Sequence, residues 1–268
     1  MRLDGRWAVI TGGTQGIGAA IARRLAAAGC HVILVGLHDD ARARETIGQC
    51  RACGVQAELL TADLSQSACD VIPQLCTQIL AISPTVSLLL NNAGTYCDVP
   101  FLEMDWATYQ RTMRLNVDAG YFLTQALARH WVQNGIAGRV LFTGSINGEL
   151  AEPDHSAYDT SKGAVRTMVR SLCVALAPHQ IRVNALAPGL IATPLTQGAL
   201  TPAAMAWMQL HTPNGQVPGP EACSGAALFL LSDEAEHVHG QTLLVDGGMS
   251  VWQQPNPPDT WGMKLPAT

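Results

Sequence analysis

The chain has 268 residues, 48% of them hydrophobic and 14% charged, which supports a sizeable core and excludes a disordered polar chain. A formal net charge of −5 argues against the basic face of a nucleic-acid binder, and no apolar run approaches the roughly 18 residues of a membrane span. The start, Met1-Arg2-Leu3-Asp4-Gly5, lacks the apolar stretch of a secretory signal, so a soluble cytoplasmic protein is expected.

The first predicted strand, Trp7–Thr11, runs into Gly12-Gly13-Thr14-Gln15-Gly16-Ile17-Gly18 and a helix near 16–28. Gly12 permits a tight turn, Gly16 lets backbone approach a pyrophosphate, and Gly18 lets helix and strand pack closely. The free N–H groups at the helix start then face the phosphates. The spacing is G-x-x-x-G-x-G, not the usual dinucleotide fingerprint, but its place at the first strand–helix junction favours a nucleotide site. After the second strand, His31–Val35, a dinucleotide site reads the adenosine ribose, an acid favouring NAD and an arginine NADP. Here Gly36-Leu37-His38-Asp39-Asp40 follows. Thr14 and His38 can contact a 2′-phosphate and Asp39 a 2′-hydroxyl; the reading leans slightly to NADP over NAD.

A helix over 40–52 holds Cys50-Arg51-Ala52-Cys53, which has no second ligand pair, so no metal site is expected. The eight scattered cysteines read as reduced thiols. Next come strand Ala57–Thr61, a helix over 66–82, strand Ser87–Asn91 with Asn92-Ala93-Gly94 behind it, and one long helix over 105–134. Strand Arg139–Thr143 leads to Ser145, and a helix over 156–177 carries Tyr158 and Lys162. Strand Arg182–Leu186 precedes residues 190–219, whose four prolines and three glycines predict a long mobile segment near the site. A helix over 220–232 and strand Thr242–Val245 complete the series. The tail from Ser250, with Pro255, Pro257, Pro258 and Pro266, is expected to form neither helix nor central strand. Its Trp252 and Trp261 are expected to close a pocket.

Short, almost continuous Val/Ile/Leu runs alternating with helices predict an α/β chain. The expected fold is a single doubly wound Rossmann-type domain over 1–249, with a parallel sheet of about seven strands, helices on both faces and a tail at 250–268. Ligands of such a sheet bind beyond the carboxyl ends of its strands, where Asn91–Gly94, Ser145 and Tyr158–Lys162 fall. Tyr158 and Lys162 are four residues apart and share a helix face. Carbonyl reduction needs a hydride and a proton; a tyrosine of pKa about 10 is a poor base near neutrality, and an adjacent ammonium is expected to lower that value. The Ser145 hydroxyl can orient the substrate oxygen.

These features together resemble the short-chain dehydrogenase/reductase family in its single-domain branch, from Leu3 to Gly248. The matching motifs are Thr11-Gly12…Gly16-Ile17-Gly18, Asp63-Leu64, Asn91-Asn92-Ala93-Gly94, Leu115-Asn116-Val117, Ser145, Tyr158…Lys162, Pro188-Gly189 with Thr193, and Asp246-Gly247-Gly248. The resemblance implies a catalytic tetrad of Asn116, Ser145, Tyr158 and Lys162, with Asn116 holding a water that connects Lys162 to solvent. It implies that Lys162 contacts the nicotinamide ribose, Asp63 the adenine, Asn91 the adenosine-side ribose, and Ile191 and Thr193 the carboxamide. It also implies a homotetramer or homodimer with the helices near 105–134 and 156–177 at the interface. Gln15 and Leu37 depart from the basic residues of NADP-preferring relatives.

Substrate contacts are expected from Ile146 to His155, where Asn147, Glu149, Glu152 and His155 can bond the hydroxyls of a sugar or polyol; the acids there read equally well as a solvated loop face. Trp207, Met205 and Met208 read either as an apolar lid or as helix core, and Tyr96 and Cys97 as pocket walls. The leading expectation is a glucose 1-dehydrogenase-like sugar or polyol oxidoreductase. The alternative is a 3-oxoacyl or other ketone reductase with a more apolar pocket. A non-catalytic dinucleotide sensor has no need of Ser145, Tyr158 and Lys162.

Overall fold

The computed structural model describes residues 1–198 and 201–252. Seven parallel strands form one sheet: β1 Trp7–Thr11, β2 His31–Gly36, β3 Ala57–Thr61, β4 Leu88–Asn91, β5 Arg139–Thr143, β6 Arg182–Pro188 and β7 Thr242–Val245. Their spatial order is β3-β2-β1-β4-β5-β6-β7, with the reversal of winding between β1 and β4. Register pairs such as Val9 with Ile33 and with Leu89 keep the strand ends level at the edge where the chain turns into helices.

The near-continuous apolar runs are explained by burial on both faces. Alternate residues, Ile10, Leu34, Leu90, Leu141 and Leu186, pack with Ile21 and Leu25 of α1 (Gly16–Ala27) and Leu228 of α8 (Ser224–Leu231). The intervening Val9, Ile33, Leu89, Phe142 and Val183 pack on the other side, against helices α3 (Ala68–Ile82), α5 (Ala119–Asn134) and α6 (Ser156–Leu176). Period-two alternation in each strand thus feeds two separate cores. Helix α2 (Ala41–Arg51) starts where Asp40 accepts from the Ala43 N–H at 2.9 Å, a side-chain cap on otherwise orphan donors. Among the described residues no helix is long and apolar enough to cross a membrane.

Two expectations change. The expected continuous helix over 105–134 is interrupted: α4 (Trp106–Met113) passes into a π-turn at Arg114–Asp118 before α5 begins. The turn shifts the helical register at a single point, and a pattern read over the whole 105–134 stretch averages that shift out. The segment 190–219 contains a regular element, α7 (Pro202–Leu210). Thr201 accepts from the Ala204 N–H at 3.2 Å, and Pro202 fits the first helical position, so this Thr-Pro pair starts a helix of good formers that its Pro/Gly-rich flanks disguise. In the tail, Met249–Val251 forms a 3-10 turn; Trp261 and the rest of the tail lie outside the described residues.

Candidate active site

The carboxyl ends of β1, β2, β4, β5 and β6 open into one cleft of about 640 Å³. Its floor is the glycine turn. Gly12 and Gly16 hold φ of 61° and 55°, in the left-handed region that favours glycine. A Cβ on Gly12 would stand 3.0 Å from the Ala93 backbone, and one on Gly18 would collide with the Gly12 carbonyl oxygen. Gln15 starts α1 without a side-chain cap, which leaves the first-turn N–H groups for an anion. Gly12, Thr14, Gln15, Gly16 and Ile17 all line the cleft, and Gly18 acts beneath it as the close-packing residue. This cradle fits the pyrophosphate of a dinucleotide.

Leu37, His38, Asp63 and Leu64 line the adenosine end. The Asp63 carboxylate accepts from the Ser65 N–H at 3.0 Å, the Ser65 hydroxyl at 2.7 Å and Gln66 Nε2 at 2.9 Å, which hold it ionised, below the usual carboxylate range. Asp39 is drawn aside by Arg44 at 2.8 Å and does not line the cleft, so its expected reach to a 2′-hydroxyl is not seen. Sequence reasoning missed Arg42, whose Nη1 donates to Gln15 Oε1 at 2.8 Å and brings a guanidinium beside the cradle. Its signal was its place two residues beyond the helix cap at Asp40.

Asn91 is a correction. Its side chain is buried and donates to Thr124 Oγ1 at 2.9 Å, and it does not line the cleft. The neighbouring Asn92 lines the cleft and donates to the carbonyls of Thr11 and Gly12, each at 3.2 Å. Ala93 and Gly94 line the cleft beside it, with Pro188, Gly189, Ile191 and Thr193 across from them.

At that end stand Ser145, Tyr158 and Lys162. Ser145 accepts from the Asn147 N–H at 3.1 Å, and its side chain favours the ionised form of Tyr158. Lys162, buried on the same helix, donates to the Thr143 carbonyl at 2.9 Å and lies 5.5 Å from the centre of the Tyr158 ring. Burial dominates both groups. It pushes the Tyr158 hydroxyl up to about 12, opposed by the Ser145 side chain, and the Lys162 ammonium down to about 8. The expected lowering of the tyrosine pKa by its lysine is therefore not the net effect, since the ammonium sits over the ring and not at the hydroxyl.

Asn116 occupies the π-turn. Its amide donates to the Thr95 carbonyl at 2.8 Å and to Ser161 Oγ at 2.9 Å, while its Oδ1 accepts from the Thr95 N–H at 2.9 Å. It stands behind the cleft wall: a Cβ on Gly94 would lie 3.2 Å from Asn116 Oδ1 and 3.8 Å from Lys162 Nζ.

The loop after Ser145 divides. Asn147, Glu152 and His155 line the cleft, but Glu149 turns outward to pair with Arg166 at 2.8 Å, so it does not stand with the candidate substrate groups. Tyr96 lines the cleft, whereas Cys97 packs 3.8 Å from Thr112 Oγ1 instead. Of the α7 residues, Met208 and Ala204 face the cleft; Trp207 is exposed and stacks on His211 at 3.6 Å, and Met205 is not in the lining. No cluster of His, Cys, Asp and Glu that could hold a metal occurs among the described residues.

The family model described as enoyl-(acyl carrier protein) reductase matches residues 12–250. The chain belongs to the short-chain dehydrogenase/reductase family of NAD(P)-dependent oxidoreductases. It is 36% identical over 257 residues to the galactitol 2-dehydrogenase (L-tagatose-forming) of Cereibacter sphaeroides, covering 94% of this chain and 97% of that one. It is 32% identical to the 3beta-hydroxysteroid dehydrogenase 1 of Eggerthella lenta, over 93% of this chain and 95% of the relative. The gluconate 5-dehydrogenase of Burkholderia cenocepacia J2315, solved with NADP and tartrate, superposes with a TM-score of 0.87 at 33% identity, covering 94% of this chain and 97% of that chain.

Proposed function

We propose that this enzyme interconverts a secondary alcohol of a polyhydroxylated small molecule, a sugar or polyol, and the corresponding carbonyl compound. NAD(P) supplies or accepts the hydride when bound. Tyr158 transfers the proton at the substrate oxygen, and Ser145 donates a hydrogen bond to that oxygen and orients it. Lys162 holds the ribose side and steadies the charge on Tyr158 as the phenol gives up its proton. Asn116 fixes Thr95 and Ser161, and so the wall behind Lys162; a water relay to solvent runs past it. The cradle from Gly12 to Gly18 holds the pyrophosphate. Arg42 and His38 favour a 2′-phosphate over a 2′-hydroxyl, a preference for NADP.

One observation carries the choice of substrate: the wall next to Tyr158 is polar, with Asn147, Glu152, His155 and Asp98 at the cleft surface. The relatives act by name on galactitol, on gluconate and on a 3β-hydroxysteroid, and such a wall suits a polyol such as the first better than a sterol. A panel of polyols, aldoses, simple ketones and a 3-oxoacyl thioester, run with NAD and NADP, tests the reading. A kcat/KM highest for a polyhydroxylated compound is expected, with NADP preferred; a preference for the thioester or an unfunctionalised ketone would overturn it.

The domain is proposed to span residues 1–249, with 250–268 as a tail that closes a pocket. A homotetramer or homodimer is supported by apolar side chains at the surface of the expected interface helices and the turn before them, including Phe101, Leu102, Trp106 and Val174. A cytoplasmic setting is supported by eight free cysteines.

A further inference from the structure

Next to Tyr158 the cleft wall is built from three rings meeting edge to face. Tyr96 and His155 are 5.8 Å apart, His155 and Tyr158 5.7 Å, and Tyr96 and Tyr158 6.3 Å, between ring centres. His155 is thus one ring away from the reacting hydroxyl, and its side chain is only 15% exposed. Two carboxylates grip it: Asp98 Oδ1 lies 2.5 Å from Nε2 and Glu152 Oε1 3.4 Å from Nδ1. Asn147, itself buried, donates to Glu152 Oε1 at 3.1 Å and to Asp159 Oδ1 at 2.8 Å, and so ties a third carboxylate to the group.

The charge balance follows. Glu152 with its partners holds His155 protonated to about pH 9, so at neutrality one imidazolium faces the carboxylates of Asp98 and Glu152, with Asp159 behind Asn147. The set carries a net negative charge. The other cations nearby do not offset it. Arg166 is paired with Glu149 at 2.8 Å and is not in the cleft lining. Arg111 lines the cleft but acts on Asp63, at the adenosine end. Lys162 is held by the Thr143 carbonyl beneath Tyr158. Among the described residues no guanidinium stands at the substrate end to pair with an anion. The outer oxygens Asp98 Oδ2 and Glu152 Oε2 make no protein hydrogen bond there and can accept from hydroxyl groups.

The geometry points to an uncharged polyhydroxy substrate, read by Asp98 and Glu152 with His155 as their positioning residue, and to exclusion of the sugar acids that carry a carboxylate. This rests on the proposed sugar or polyol activity and narrows it. Hydroxyls donate to the two carboxylates, whereas a carboxylate on the substrate meets like charge with nothing to pair it.

The test measures kcat and KM for matched polyols and aldonates, for example D-glucitol with D-gluconate and galactitol with galactonate, on the intact enzyme with NADP. The expected result is a kcat/KM for the polyols at least about tenfold above the aldonates, with the difference in KM. Glu152→Gln and Asp98→Asn should each raise the polyol KM and narrow that ratio by about tenfold. In the parent enzyme added salt should lower the aldonate KM and leave the polyol KM unchanged. Aldonates preferred by the parent, or a ratio that neither variants nor salt move, would overturn this inference and leave the sugar or polyol reading standing. Turnover of simple ketones or thioesters alone would overturn both.

Discussion

Strand β5 begins at one buried cation site and ends at another. At its start, Arg139 is the register partner of Arg182 on β6, so two guanidiniums lie side by side. They are tolerated because α8 ends there: Arg139 donates to the Leu231 carbonyl at 2.6 Å and pairs with Asp233, and Arg182 donates to the carbonyls of Leu230 at 3.0 Å and Ser232 at 2.6 Å. Orphan carbonyls at a helix end, with the negative pole of its dipole, suit a cation. At the finish of the same strand, Lys162 has the single carbonyl of Thr143 and no carboxylate partner among the described residues. Burial lowers both sites, Arg182 to about 10 and Lys162 to about 8, but only the second lines the cleft. A buried cation spent on backbone carbonyls builds the fold; one left nearly unpaired against a cleft is held for the reaction.

That contrast predicts opposite effects on activity and stability. The largest change is expected for Lys162→Met: kcat falls by about 10²–10⁴-fold, while the fold gains about 1–3 kcal/mol because a poorly compensated buried charge is removed. The unfolded chain binds the Lys162 proton more tightly than the folded chain, so below about pH 8 this charge costs stability, and the cost fades as pH climbs toward the ordinary lysine value. Denaturant titrations of parent and variant should therefore converge between pH 8 and 10; a variant less stable than its parent at pH 7 would break the comparison. Arg182→Met should do the reverse, losing about 2–4 kcal/mol by freeing the α8 carbonyls, with kcat per folded molecule unchanged. A matching drop in kcat would place the strand starts in the catalytic machinery.

A smaller effect is expected at His155, whose pKa is raised by Glu152 and Asp98. A raised value contributes stability that is present below about pH 6.5 and lost as pH rises through about 9. His155→Gln should remove that dependence, with an amplitude below about 1 kcal/mol because both carboxylates are solvent-exposed. Denaturant midpoints at pH 6 and 9.5 check it; an unchanged pH slope would show that the pair gives the fold nothing.

Much of this was legible in the sequence because its signals are local. Continuous apolar strands announce burial on two faces, and Tyr158 and Lys162 share a helix face by spacing alone. What the sequence withheld depends on orientation. Asn91 and Asn92 are adjacent identical residues, and only the second, just past the end of β4, lines the cleft. Glu149 and Glu152 sit in one acidic loop, and only the reach of Arg166 sends the first outward. The π-turn at Asn116 shifts the helical register at one point, which a pattern read over the long stretch averages out, and the start of α7 hides behind prolines and glycines that usually mark loops.

The central claim is that Tyr158 moves the proton, and Tyr158→Phe tests it most directly, with turnover and binding of the reduced dinucleotide measured on the same preparation. The account predicts a loss of kcat of about 10²–10⁴-fold with dinucleotide affinity kept within about twofold, since the phenol oxygen takes no part in the pyrophosphate cradle. Turnover within tenfold of the parent, at full dinucleotide binding, would contradict it.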